Sequence, residues 1–163
     1  MTKIKTKRER VKFASDNVTG ACPEVLEAIL KANDEDRTPY GNDDLSKNLQ
    51  DKFSEIFEKE VIVFPIASGT AANALALSTM TPSFGNIYCH RLSHINVDEC
   101  GAPEFYTGGA KLVNLDGNNG KITAEELDRN ISGKGVVHHT QPSSVSITPV
   151  SYTHLTLPTK RIV

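Results

Sequence analysis

Val61-Ile62-Val63-Phe64-Pro65-Ile66-Ala67-Ser68-Gly69-Thr70-Ala71-Ala72-Asn73-Ala74-Leu75-Ala76-Leu77 is the stretch on which the fold turns. Its first four residues form a continuous apolar run rich in β-branched side chains, the pattern of a strand covered on both faces in a parallel sheet. Its last seven make a strongly helix-forming stretch. Ser68-Gly69-Thr70 therefore stands where a strand gives way to a helix. A helix N-terminus presents unpaired N–H groups and a partial positive charge, so it receives phosphate well. Gly69 lets a ligand approach the backbone, and the hydroxyls of Ser68 and Thr70 can donate to phosphate oxygens. Capping of orphan amides accounts for the same hydroxyls equally well. The Walker glycine spacing and lysine are missing, which argues against a nucleotide P-loop.

The segments on either side repeat the alternation. Ile87-Tyr88-Cys89, Ala110–Leu115 and Val136-Val137-His138-His139 read as further strands. Pro23 suits a first helical position, and Val25, Leu26, Ile29 and Leu30 then follow at helical spacing. A second helix starts at about Asp44, with Leu45, Leu49, Phe53, Ile56 and Phe57 on one stripe. Asp116-Gly117-Asn118-Asn119-Gly120 is a turn cluster, and Thr123 with Glu126 is a capping box opening a helix to about Arg129. Strands alternating with helices predict an α/β, doubly wound architecture.

Composition narrows the function classes. The 163 residues amount to about one domain. Eighteen basic against twenty acidic residues leave a net charge of −2, so neither nucleic acid nor an anionic membrane surface meets an attracting global field. No apolar run approaches the roughly 20 residues that cross a bilayer. No signal-peptide core follows the basic start, and the expected location is the cytoplasm. Cys22, Cys89 and Cys100 form neither a disulfide framework nor a zinc knuckle and read as reduced thiols. Residues 1–12 hold Lys3, Lys5, Lys7, Arg8, Arg10 and Lys12 against Glu9 alone. They read as a solvated, disordered basic arm, a nucleic-acid arm being the other reading.

Several polar groups are candidates for chemistry. His90, His94 and Asp98 would share one face if the segment were helical, a metal-ligand arrangement. Cys89 and His90 end a strand, however, which breaks that face, and no metal is expected. His94 reads either as a ring over a flat aromatic ligand or as a surface histidine at a strand-to-helix turn. Ser15-Asp16-Asn17 and Tyr40-Gly41-Asn42-Asp43-Asp44 each precede a helix and fit ordinary turns and caps. His138-His139 follows a strand, where α/β proteins place ligands, and fits a satisfied histidine pair as well.

Taken in order, these segments resemble the low-specificity threonine aldolases of the β-eliminating lyase group, fold-type-I enzymes that use pyridoxal 5'-phosphate. The resemblance runs from about Phe13 to Thr148. It is carried by Phe13-Ala14-Ser15-Asp16-Asn17-Val18-Thr19, Thr38-Pro39-Tyr40-Gly41-Asn42-Asp43, Leu49-Gln50, Ala67-Ser68-Gly69-Thr70-Ala71-Ala72-Asn73, Ser93-His94 and Glu99-Cys100-Gly101-Ala102. It implies that Ser68, Gly69 and Thr70 cradle the cofactor phosphate, and that His94 stacks on the pyridine ring near the reacting bonds. Ser15 would help hold the substrate carboxylate. Tyr40 and Gly41 would lie near the active site and a subunit interface, implying a homo-oligomer. Thr140-Gln141 falls near a further cofactor-facing segment, and Glu99 matches by position without an assigned role.

The implied reaction is retro-aldol cleavage of L-threonine or L-allo-threonine to glycine and acetaldehyde, by a carbon–carbon lyase of amino-acid metabolism. The family's aspartate facing the ring nitrogen, its Schiff-base lysine and its carboxylate-binding arginines have no counterpart before Thr148. The expectation is therefore a truncated, inactive part of the large domain, spanning 13–148 and built as a mostly parallel sheet with flanking helices. Residues 149–163 (PVSYTHLTLPTKRIV) do not continue the pattern and read as an artefactual tail, so Lys160 is not the catalytic lysine. The alternatives are another fold-type-I activity, β-elimination or transamination, and a non-catalytic remnant that only binds phosphate ligands or pairs with a full-length subunit.

Overall fold

The computed structural model describes residues 18–33 and 36–148. The basic arm 1–12, Ser15 and the tail 149–163 lie outside the described residues. Two compact units divide between Val63 and Phe64.

The first unit carries α1 (Pro23–Asn33) and α2 (Asp44–Ile56), which start where Pro23 and Asp44 place them. α2 is capped by Asp43, whose Oδ1 accepts from the Ser46 amide at 2.9 Å and whose Oδ2 accepts from the Ser46 hydroxyl at 2.7 Å. The apolar stripe of α1 is half-exposed along Val25, Leu26, Ile29 and Leu30. The strand expected over Val61–Phe64 is not formed. Gln50 of α2 takes the ladder groups of Val63 instead: its Nε2 donates to the Val63 carbonyl at 2.9 Å, and the Val63 amide donates to its Oε1 at 2.8 Å. The Val61 amide donates to the Ser54 hydroxyl, and Ile62 and Phe64 stay exposed.

Hydrogen bonds from Ser46, chiefly from its hydroxyl, hold the Asp43 carboxyl below the ordinary carboxylate range. The folded state thus favours the ionised form. The cap's contribution is complete above the unfolded aspartate range, about pH 4, and is lost as pH falls through Asp43's own lowered value. Asp43→Asn keeps an acceptor without a titration, so the acid loss of α2 helicity followed by circular dichroism is expected to flatten in that variant.

The second unit holds a parallel three-stranded sheet in the order β2-β1-β3, with β1 at Gly85–His90, β2 at Lys111–Leu115 and β3 at Gln141–Ser146. Every residue of β1 is buried, as a central strand requires. α3 (Gly69–Met80) precedes the sheet and packs against α5 (Ala102–Tyr106). α4 (His94–Val97) and α5 connect β1 to β2. A 3-10 turn at Asn118–Gly120 and α6 (Ala124–Asn130) connect β2 to β3. α6 begins at Thr123, whose hydroxyl accepts from the Glu126 amide at 3.1 Å. Leu77, Ile87, Cys89, Ile95 and Ala110 form the core, with Leu112 against it. The molecule is therefore α/β, with a parallel sheet and flanking helices. Among the described residues no helix is long and apolar enough to cross a membrane.

The strand expected over Val136–His139 is a run of turns, and the third strand forms at Gln141–Ser146. The cause is again a glutamine. Gln141 Nε2 donates to the carbonyls of Gly133, Val136 and His139, and its Oε1 accepts from the Gly135 amide at 2.9 Å. Gly133 and Gly135, at φ 75° and 76°, turn the chain back on itself. Pro142 removes a ladder donor from β3, which an edge strand tolerates, and the pairing with β1 is irregular there.

Candidate functional site

Ser68 occupies the cap of α3 with extended backbone, and its hydroxyl oxygen accepts from the Ala71 amide at 3.2 Å. The capping reading is thus realised. The amides of Gly69 and Thr70 belong to the first turn and have no acceptor within the helix. A Cβ placed on Gly69 would meet nothing within 4 Å, so the helix start is open to a ligand.

His94 opens α4 on the segment leaving the carboxyl end of β1, the end at which parallel α/β sheets hold ligands. Its Nδ1 lies 2.7 Å from Oε1 of Glu99. The same oxygen accepts from Asn73 Nδ2 at 2.6 Å, and Asn73 stands on α3 one turn beyond Gly69. The Glu99 side chain is fully buried, whereas that of His94 is 29% exposed. One chain of contacts therefore runs from α3, through Asn73 and Glu99, to a partly open imidazole.

His90 is occupied elsewhere. Its Nδ1 accepts from the Leu92 amide at 3.1 Å, and its Nε2 lies 3.2 Å from the Gly117 carbonyl. It ends β1, so His90, His94 and Asp98 do not share a helical face; Asp98 closes α4 with its amide on the His94 carbonyl. Among the described residues no group of three or more His, Cys, Asp or Glu side chains could hold a metal. All three cysteines are free, and burial, its largest influence, pushes the Cys89 thiol up, which makes it a poor nucleophile.

Tyr40 belongs to the first unit. It is 97% exposed and adopts φ 63°, an uncommon conformation for a bulky side chain, beside Gly41 at φ 75°. His138 and His139 precede β3 and so lie at the amino end of the sheet, not at the carboxyl end where they were expected. Gln141 is committed to the turns before it. A hollow of about 520 Å³ opens beside His90, Lys121, Ser146 and Thr148. It touches none of Ser68, Gly69, Thr70 or His94.

Glu99 and Asn73 are the members of the cluster whose part the sequence did not reveal. Asn73 left a faint signal, since asparagine is a poor helix former amid alanines and calls for a partner. The Glu99 contact joins residues 26 apart and has no periodic signature.

The sequence model of the beta-eliminating lyases matches residues 12–153. The chain belongs to the beta-eliminating lyase family. This member of the family is similar to a low specificity L-threonine aldolase of a Pseudomonas species, 39% identical over 136 residues, and to that of Pseudomonas aeruginosa, 37% identical over the same length. Each alignment covers 83% of this chain and 39% of the relative. The solved threonine aldolase of Leishmania major superposes with a TM-score of 0.75 at 25% identity, over 82% of this chain and 39% of that one. The chain thus spans about two-fifths of the length of the relatives it matches, and the fold is a partial fold-type-I domain.

Proposed function

We propose that this chain supplies the phosphate-binding and ring-facing part of a pyridoxal-phosphate-dependent lyase that cleaves L-threonine or L-allo-threonine to glycine and acetaldehyde. The observation that carries the reading is the linkage of the open first turn of α3 to His94 through Asn73 and Glu99. The first-turn amides of Gly69 and Thr70, with the Thr70 hydroxyl, fit a dianionic phosphate, and the open space at Gly69 admits it. When bound, the cofactor supplies an electron sink for the pair released as Cα–Cβ breaks. His94 would face the ring and accept or relay the β-hydroxyl proton at Nε2, while Cα would take up a proton to give glycine. Ser15 contributes to holding the substrate carboxylate. Tyr40, in its left-handed turn, contributes an active-site loop at a subunit interface of a homo-oligomer.

The test is to supply the full-length protein with pyridoxal phosphate and each threonine isomer and to measure glycine and acetaldehyde. Equal amounts of both products are expected. Ammonia and a keto acid from serine or cysteine, without glycine from threonine, would make β-elimination the activity. Amino transfer to a keto acid would make it a transaminase. The 163-residue chain alone is expected to yield neither product; acetaldehyde from it would overturn that expectation. Its recovery with a full-length subunit would favour a non-catalytic partner.

A further inference from the structure

We propose that Glu99 is the positioning residue of His94, and that Asn73 ties Glu99 to α3 so that cradle and imidazole are held as one piece. The proposal rests on the reading of His94 as the ring-facing residue. The geometry is directional. Glu99 Oε1 accepts from Asn73 Nδ2 at 2.6 Å and faces His94 Nδ1 at 2.7 Å. Whether the carboxyl is ionised or carries its hydrogen on Oε2, Oε1 is the acceptor, so the hydrogen of a neutral His94 sits on Nδ1. In that tautomer the lone pair of the neutral ring is on Nε2, the nitrogen that the proposed function uses. The contact also fixes the plane of the ring, which a face-to-face partner needs.

The backbone is bent to aim Glu99 inward. Cys100 and Gly101 follow it at φ 52° and 72°, and left-handed geometry is unusual for a cysteine. Glu99 is buried, and its Oε2 has no hydrogen-bond partner among the described residues. Burying a half-satisfied carboxyl costs stability, and an apolar side chain of that size would serve packing better. What a polar head with an oxygen at this position provides, and an apolar side chain would not, is an acceptor for Nδ1 together with an anchor for Asn73.

The measurement is the His94 tautomer in the full-length protein without cofactor, from long-range nitrogen–proton spectra of ¹⁵N-histidine-labelled samples at one mildly alkaline pH. The His94 signals are those that vanish in His94→Phe. The unaltered protein is expected to show the Nδ1–H form. Glu99→Gln keeps an acceptor and is expected to keep that form. Glu99→Met is expected to move the ring toward Nε2–H and, with cofactor and threonine, to lower kcat about tenfold or more while KM changes little. If Glu99→Met does not fold, Asn73→Ala is expected to shift the same signals by loosening Glu99. An Nε2–H ring in the unaltered protein, or a tautomer indifferent to Glu99→Met and Asn73→Ala, would overturn the proposal. A full-length protein that leaves threonine uncleaved would overturn the proposed function instead, and the tautomer would still decide the role of Glu99.

Discussion

Ile87→Ala is expected to lower the stability of the sheet-bearing unit by about 2–5 kcal/mol, the usual cost of a cavity at a fully buried aliphatic site. Ile87 has no exposed surface and sits mid-way along β1, opposite Leu112 on one side and Ser144 on the other. Leu77 of α3 and Ile95 of α4 belong to the same cluster, so the cavity opens where sheet and helices meet. Ile87→Val removes one methylene and is expected to cost about 0.5–1.5 kcal/mol, which separates loss of packing from loss of strand propensity. Ile62→Ala is the control, because Ile62 is 75% exposed and the change should stay within about 0.5 kcal/mol. Urea titrations followed by circular dichroism give the three numbers. A cost at Ile62 as large as that at Ile87 would mean that Val61–Phe64 is a buried strand after all.

That control bears on what the sequence could disclose. β1, β2 and the starts of α1, α2 and α6 follow from local rules: a short apolar stretch before a turn, Pro23 at a first turn, Asp43 and Thr123 as caps. The two failures, Val61–Phe64 and Val136–His139, are both β-branched runs that satisfy the same local rules. In each a glutamine side chain takes up backbone groups that a neighbouring strand would have paired, Gln50 from 13 residues away and Gln141 from the end of its own loop. Pattern reading registers propensity and burial but not which acceptor reaches an amide first. The site divides similarly. The hydroxyl–glycine–hydroxyl start of α3 is local and was legible, and His94 stood out by the resemblance. The Asn73–Glu99–His94 linkage spans a strand and two turns and needed the tertiary fold.

His94→Phe separates the two jobs assigned to the imidazole. Phenylalanine keeps a flat aromatic face, so cofactor affinity in the full-length protein is expected to change only a few-fold. It has no nitrogen, so kcat is expected to fall about 10²-fold or more, within the usual reach of general acid–base assistance. His94→Ala removes both properties and should also weaken cofactor retention, read from the bound chromophore after gel filtration. Full activity in His94→Phe would leave stacking as the ring's whole contribution. The double variant with Glu99→Met sharpens the comparison. If Glu99 acts only through the imidazole, its replacement should cost nothing further in kcat once His94 is phenylalanine, because groups acting as one unit are not additive. An additive loss would give Glu99 an effect that bypasses His94, through the Asn73 anchor on the cradle helix, and cofactor affinity in the single Glu99→Met variant should then fall as well.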